Sequence, residues 1–192
     1  MEAKIQAHFR RCDPVIYSLL KKVGDIPSPE ARHPRQYFRS LCSDIISQQL
    51  SGKVADVFWK RFLNLFPQRQ ITPSRVLALP DPALRGIGIS NSKVSFLKSL
   101  AGYFVNKKID FQNLANLSEE EVIKELTKIK GIGRWTAEMF LMFSLARPDI
   151  FSAGDQGLKN AIKKYYPKTP DPVVWSPYRT FACLILWKSL DQ

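Results

Sequence analysis

The stretch from Leu126 to Lys164 reads LTKIKGIGRWTAEMFLMFSLARPDIFSAGDQGLKNAIKK, and its reading decides the fold. Two helical patterns flank Gly131-Ile132-Gly133. Upstream, Val122, Ile123, Leu126 and Ile129 recur at helical spacing behind Ser118-Glu119-Glu120-Glu121. That tetrapeptide predicts a capping box, with Ser at the N-cap and Glu at N3. Downstream, Arg134–Ala146 is apolar almost all round, which predicts a central buried helix broken at Arg147-Pro148. Asp149–Gly154 then reads as loop. Asp155 opens a short helix whose basic face is Lys159, Lys163 and Lys164.

Two features in this stretch carry chemistry. Gly131 and Gly133 permit a tight turn, and the start of the next helix offers backbone N–H groups and partial positive charge to an anion. Lys128, Lys130 and Arg134 add formal charge. Lys130, Gly131, Ile132, Gly133, Arg134 and Thr136 are therefore candidate contacts for a nucleic-acid phosphate, which position a protein without reading bases. The same pattern also suits a plain helix–turn–helix with Gly at a C-cap. The second feature is Asp155, an isolated carboxylate at a helix start, which suits an N-cap or an active site.

Outward from this core, every segment reads as helix or connection. Residues 1–24 hold one helix or two, with Ile5, Phe9, Val15, Ile16, Leu19 and Leu20 as the apolar stripe and Asp13-Pro14 as N-cap and N1. Phe38, Leu41, Cys42, Ile45 and Ile46 mark an amphipathic helix that stops at Ser47-Gln48-Gln49-Leu50-Ser51-Gly52. Ser51 is placed to cap a helix over Gly52–Phe66. Thr72-Pro73 and Asp81-Pro82 open two short helices, and Asn91–Val105 and Tyr178–Leu190 are helical by pattern. No segment joins strand alternation to hairpin turns. The fold class is all-α.

Net charge is +12, from 29 Lys and Arg against 17 Asp and Glu, which suggests a polyanionic partner. Apolar content of 45% is that of an ordinary globular protein, and no run approaches the roughly 18 apolar residues of a membrane helix. The N-terminus shows no secretory pattern. Cys12, Cys42 and Cys183 are widely separated, which argues against a disulfide framework and an iron–sulfur cluster and suits an intracellular compartment, cytoplasm, nucleoid or nucleus.

Taken together, the words Gly131-Ile-Gly-Arg-Trp-Thr-Ala137, Asp149-Ile-Phe and Asp155-Gln-Gly-Leu-Lys159 resemble the helix-hairpin-helix DNA glycosylases, particularly those of the DNA-3-methyladenine glycosylase II type. Ile45-Ile-Ser-Gln-Gln-Leu-Ser51 and Gly86-Ile-Gly-Ile-Ser90 with Lys93 resemble further signatures of that family. The resemblance implies a two-lobed helical fold with the active site in the cleft between lobes. One lobe would span about 1–34 plus 135–192, and the other about 35–134 with the hairpin.

It further implies a monofunctional, monomeric enzyme acting on double-stranded DNA with alkylated purines such as 3-methyladenine and 7-methylguanine. Asp155 would be the catalytic carboxylate, stabilising the oxocarbenium-like sugar and orienting a water. Strand-cutting relatives carry a Schiff-base lysine where this chain has Trp135, so an abasic site would be left intact. Trp135, Trp187, Phe38 and Met139 would line the base pocket, where an indole face attracts a cationic base. The nucleotide must flip out of the duplex, with Gln48, Gln49 and Leu50 in the wedge turn and Gln49 or Leu50 as the plug. No cofactor is expected. The resemblance also implies a sodium or potassium ion on the carbonyls of Thr127, Ile129 and Ile132. Three other readings remain open: a non-catalytic hairpin DNA-binding protein, a glycosylase for another class of lesion, and a basic helical RNA-binding protein.

Overall fold

The computed structural model describes residues 3–50 and 52–191, and among these there are helices, turns and no strands. The chain forms two compact units: Met1–Ala31 with Leu141–Gln192, and Arg32–Phe140. The chain returns to the first unit inside a helix rather than at the hairpin.

In the first unit, α1 (Ala3–Cys12) and α2 (Pro14–Val23) are separate helices. Asp13 stops one and starts the other. Its Oδ1 accepts from the backbone N–H groups of Val15 and Ile16 at 2.9 and 3.0 Å, and Pro14 at N1 needs no acceptor. The buried carboxylate is completed on Oδ2 by the Tyr166 hydroxyl and the Trp175 indole N–H, both at 2.7 Å. One side chain thus joins the N-terminal helices to the end of the chain.

In the second unit, α3 (Tyr37–Ser47) buries Phe38, Leu41, Cys42, Ile45 and Ile46, the stripe its spacing predicts. Next come α4 (Gly52–Asn64), α5 (Pro73–Ala78) and α6 (Asp81–Gly86). The expected Ser51 cap falls outside the described residues. The helix α7 (Asn91–Val105) packs on α3, α5 and α6, so it is the hub of this unit. Its lysines close neighbouring helix ends: Lys98 Nζ donates to the carbonyls of Leu77 and Leu79, and Lys93 Nζ to those of Ile46 and Gln48. Burial lowers the Lys93 ammonium from its ordinary range. On α3, burial pushes half-buried Asp44 up to about 7, against the opposing charge of Arg32.

The capping box forms as spelled: α8 (Glu119–Leu126) starts with Ser118 N–H donating to Glu121 Oε2 at 2.8 Å. The hairpin follows, then α9 (Arg134–Phe143), whose residues 136–142 are all buried. It ends before the predicted break. Ala146 takes a left-handed φ of +53°, and Arg147 N–H reaches back to the Leu141 carbonyl at 2.9 Å. This is a left-handed helix stop made without glycine. The remaining helices of the first unit are α10 (Gln156–Tyr165) and α11 (Arg179–Lys188), which pack on each other.

Candidate active site and phosphate hairpin

Gly131 has φ +89°, and a Cβ there would stand 2.1 Å from Cγ of Phe96 on α7. Only glycine satisfies both the turn and the aromatic ring beneath it. Ile132 is buried and anchors the tip, while Gly133 is exposed, and a Cβ there would meet nothing within 4 Å. The helix α9 then begins, and the first N–H groups of a helix have no partner within it.

Side chains distant in sequence hold this turn. Gln48 Nε2 donates to the Gly131 carbonyl at 2.9 Å and to the Thr136 hydroxyl at 3.1 Å. The Tyr103 hydroxyl donates to the Lys128 carbonyl at 2.7 Å. Thr136, expected to meet phosphate, is only 2% exposed and instead receives Gln48 from inside the unit. Gln48 likewise braces the hairpin rather than projecting from the wedge turn. Gln49, exposed at φ +59°, and half-buried Leu50 stand at the tip of that turn.

The cations divide by pairing. Arg134 grips Glu120 through both terminal nitrogens, at 2.6 and 3.2 Å, and its Nε donates to Glu138 at 3.0 Å. Lys128 pairs with Glu125. Arg134 is thus already paired, while Lys130 stands exposed without an ion pair among the described residues. Among the described residues, the Thr127 and Ile132 carbonyls accept no backbone N–H, while Ile129 accepts from Ile132 at 3.0 Å. Of the three carbonyls expected to hold a cation, that of Ile129 is thus already engaged.

In the other unit, Asp155 N-caps α10. Its Oδ1 accepts from the Leu158 N–H and from the Trp187 indole N–H, each at 2.8 Å. Gly157 makes the second bond feasible: a Cβ there would lie 3.1 Å from both Asp155 Oδ1 and Trp187 Cδ1. Sequence reasoning gave this glycine no task of its own, although it stands within the word Asp155-Gln-Gly-Leu-Lys159. Trp187 also lies 6.2 Å from the Phe143 ring. The neighbouring acid, Asp149, is differently used. Burial opposes its charge, but donors on Arg179 and Ser176 outweigh that and hold it below the usual carboxylate range. Ser176 Oγ, and Arg179 through N, Nε and Nη2, surround it at 2.7–3.1 Å, so it is a structural anchor.

The aromatic candidates separate in the same way. Trp135 is 36% exposed on the first turn of α9. Phe38, only 4% exposed, packs edge-on against Phe104 at 5.1 Å and, with Phe104 and Phe111, lines a cavity of about 490 Å³ in the second unit. Met139 is 7% exposed, and Phe140 is fully buried against Tyr37. Cys42 and Cys183 are buried and Cys12 half-buried, each a thiol outside any disulfide, and Cys183 Sγ faces the Ile150 carbonyl at 3.7 Å.

Residues 42–173 match the family model described as HhH-GPD superfamily base excision DNA repair protein. The chain is 33% identical over 197 residues to the DNA-3-methyladenine glycosylase 1 of Schizosaccharomyces pombe, covering 97% of this chain and 86% of that one. A solved structure of the 3-methyladenine DNA glycosylase of that yeast, in complex with abasic DNA, superposes with a TM-score of 0.88 at 32% identity. The match covers 99% of this chain and 98% of that one. The DNA-3-methyladenine glycosidase of Bacillus halodurans gives a TM-score of 0.79 at 34% identity, over 97% and 88% of the two chains. This chain, with its braced glycine hairpin and its capped carboxylate, belongs to the HhH-GPD superfamily of base excision DNA repair proteins.

Proposed function

We propose that the protein is a monofunctional DNA glycosylase that hydrolyses the N-glycosidic bond of alkylated purines in duplex DNA, inside the cell, and leaves an abasic site. The observation that carries the chemistry is the Asp155 carboxylate, fixed by two N–H donors on one oxygen. Cleavage builds positive charge on the deoxyribose, and a carboxylate that need not reorient stabilises that charge as it forms. The same group orients the water that attacks the sugar. Purines alkylated at N3 or N7 are cationic and leave without strong protonation, so the chain's poverty in histidine is no handicap.

The remaining parts have assigned tasks. The N–H groups around Gly131–Gly133 and the Lys130 ammonium hold a phosphate of the DNA backbone. Carbonyls of Thr127, Ile129 and Ile132 would hold any monovalent cation bound at the hairpin, whose charge would reinforce the grip on that phosphate. Gln49 and Leu50 fill the gap left by the flipped nucleotide. Trp187, beside Asp155, offers an indole face to the cationic base, and exposed Trp135 does the same. Trp135 has no amine for a Schiff base, so the strand stays whole.

The test is release of free methylated purines from methylated duplex DNA by wild type and Asp155→Asn, with strand breaks scored before and after hot alkali. The expected result is release by wild type, breaks only after alkali, and a variant that binds abasic DNA while release falls at least about 100-fold. Undiminished release by the variant would overturn the role of Asp155. DNA binding without release by wild type would point to a non-catalytic hairpin protein.

A further inference from the structure

The first unit has a groove of about 570 Å³ that the chemistry above does not use. Its floor is apolar and aromatic: Phe151, Leu158, Ile162 and Tyr166. Its far wall is the proline-rich connection, through Pro167, Pro170 and Pro172. Lys159 and Lys163, one turn apart on α10, are exposed at the rim.

The groove is held in shape by buried bonds. Tyr166 and Trp175 both donate to Asp13, and the Phe151 and Tyr166 rings lie 5.7 and 6.3 Å from the buried Trp175 ring. Three prolines fix φ along the wall and leave it few N–H groups to offer, so an occupant would be held by its side chains. Val173, 67% exposed, and Val174 follow Pro172 in the chain as exposed apolar residues. Lys164 and Lys168 add charge on the same segment, with exposed Asp171 the acid beside them.

We propose that this groove is a docking site for an acidic peptide segment of a partner protein, one that inserts an aromatic or aliphatic anchor between flanking carboxylates. Charge complementarity selects this occupant. The lysines favour an anion, while an apolar floor of this size has nothing to offer a phosphodiester backbone, which needs donors rather than rings. A fixed groove loses little entropy on closing around an anchor, which favours a short peptide.

Fluorescence anisotropy on the full chain tests this, with a labelled twelve-residue peptide of Glu and Asp around central Phe and Leu. The expected result is saturable binding by wild type that falls at least about tenfold in Thr169→Trp, which fills the groove, and in Lys163→Glu. Release of methylated purines should be unchanged in both variants. A peptide with Ser for the apolar residues should bind at least about tenfold more weakly. No binding by wild type would overturn the proposal. So would binding that survives Thr169→Trp, or binding lost in Lys130→Glu, which would place the peptide on the hairpin. Loss of DNA affinity in Lys163→Glu without peptide binding would assign the lysines to DNA.

Discussion

The indole N–H of Trp187 donates to Oδ1 of Asp155 at 2.8 Å, on the oxygen that also caps α10. The carboxylate is therefore fixed from two directions, one local and one from α11. A hydrogen bond to a carboxylate contributes about 1.5–3 kcal/mol, enough to alter a barrier measurably when the group must stay aimed. Trp187→Phe keeps a ring and removes the donor. Single-turnover base release should slow about 10- to 100-fold, with affinity for abasic DNA changed less than about threefold. Equal losses in both would mean that Trp187 serves mainly as a wall.

The two hairpin glycines should differ sharply on substitution. Gly131→Ala forces a Cβ into the Phe96 ring at positive φ and should destabilise the protein by about 3 kcal/mol or more in urea melts. Gly133→Ala meets nothing within 4 Å and should stay within about 1 kcal/mol of wild type. If Gly131→Ala were equally mild, Phe96 would not be the constraint.

Salt dependence separates the hairpin cations. Lys130→Ala should lower the slope of log affinity for DNA against log salt by about 1, because one phosphate contact is lost. Arg134→Ala should change that slope much less, since its guanidinium already serves Glu120 and Glu138. Comparable slopes for the two variants would show that Arg134 exchanges its acidic partners for DNA.

Asp44 gives a pH signature. Its carboxyl is raised to about 7 in the folded protein, against an ordinary value near 3.8. The folded state therefore holds a proton that the unfolded state has lost between those values, and stability falls as pH rises through that window. Below it the group costs nothing; above pH 7 the full penalty of a buried charge applies. Asp44→Asn should melt higher than wild type at pH 8 and close to it at pH 4. The gain is about 1–2 kcal/mol, modest because the half-buried side chain keeps some solvent. A gain at pH 4 equal to that at pH 8 would exclude titration as its source.

Much of this was legible in the sequence because local rules decided it. The capping box at Ser118, the Asp13-Pro14 start and the apolar stripe of α3 follow from spacing and turn chemistry alone. Long-range pairing is another matter. Nothing local tells that Gln48 reaches Gly131 and Thr136, or that Arg134 is already engaged by Glu120. Charge can be counted along a chain, but its partners cannot. Phe38 is a related case: periodicity shows that a ring turns inward, not which cavity or which ring it meets there. Conversely, Asp155 stood out as an isolated acid at a helix start, while the bond that aims it comes from a residue 32 positions later.

The Asp13 cluster bears on the order in which the protein matures at the ribosome. Arg32–Phe140 is one continuous segment, so its apolar surfaces can meet as soon as it has emerged. The first two helices wait. Until residues 166 and 175 have been made, the Asp13 carboxylate lacks the two donors that satisfy it in the interior, and the apolar face of α2 lacks α11. A nascent chain stalled before those residues exposes the greasy side of its oldest helices, and that is the species a chaperone or a protease would meet.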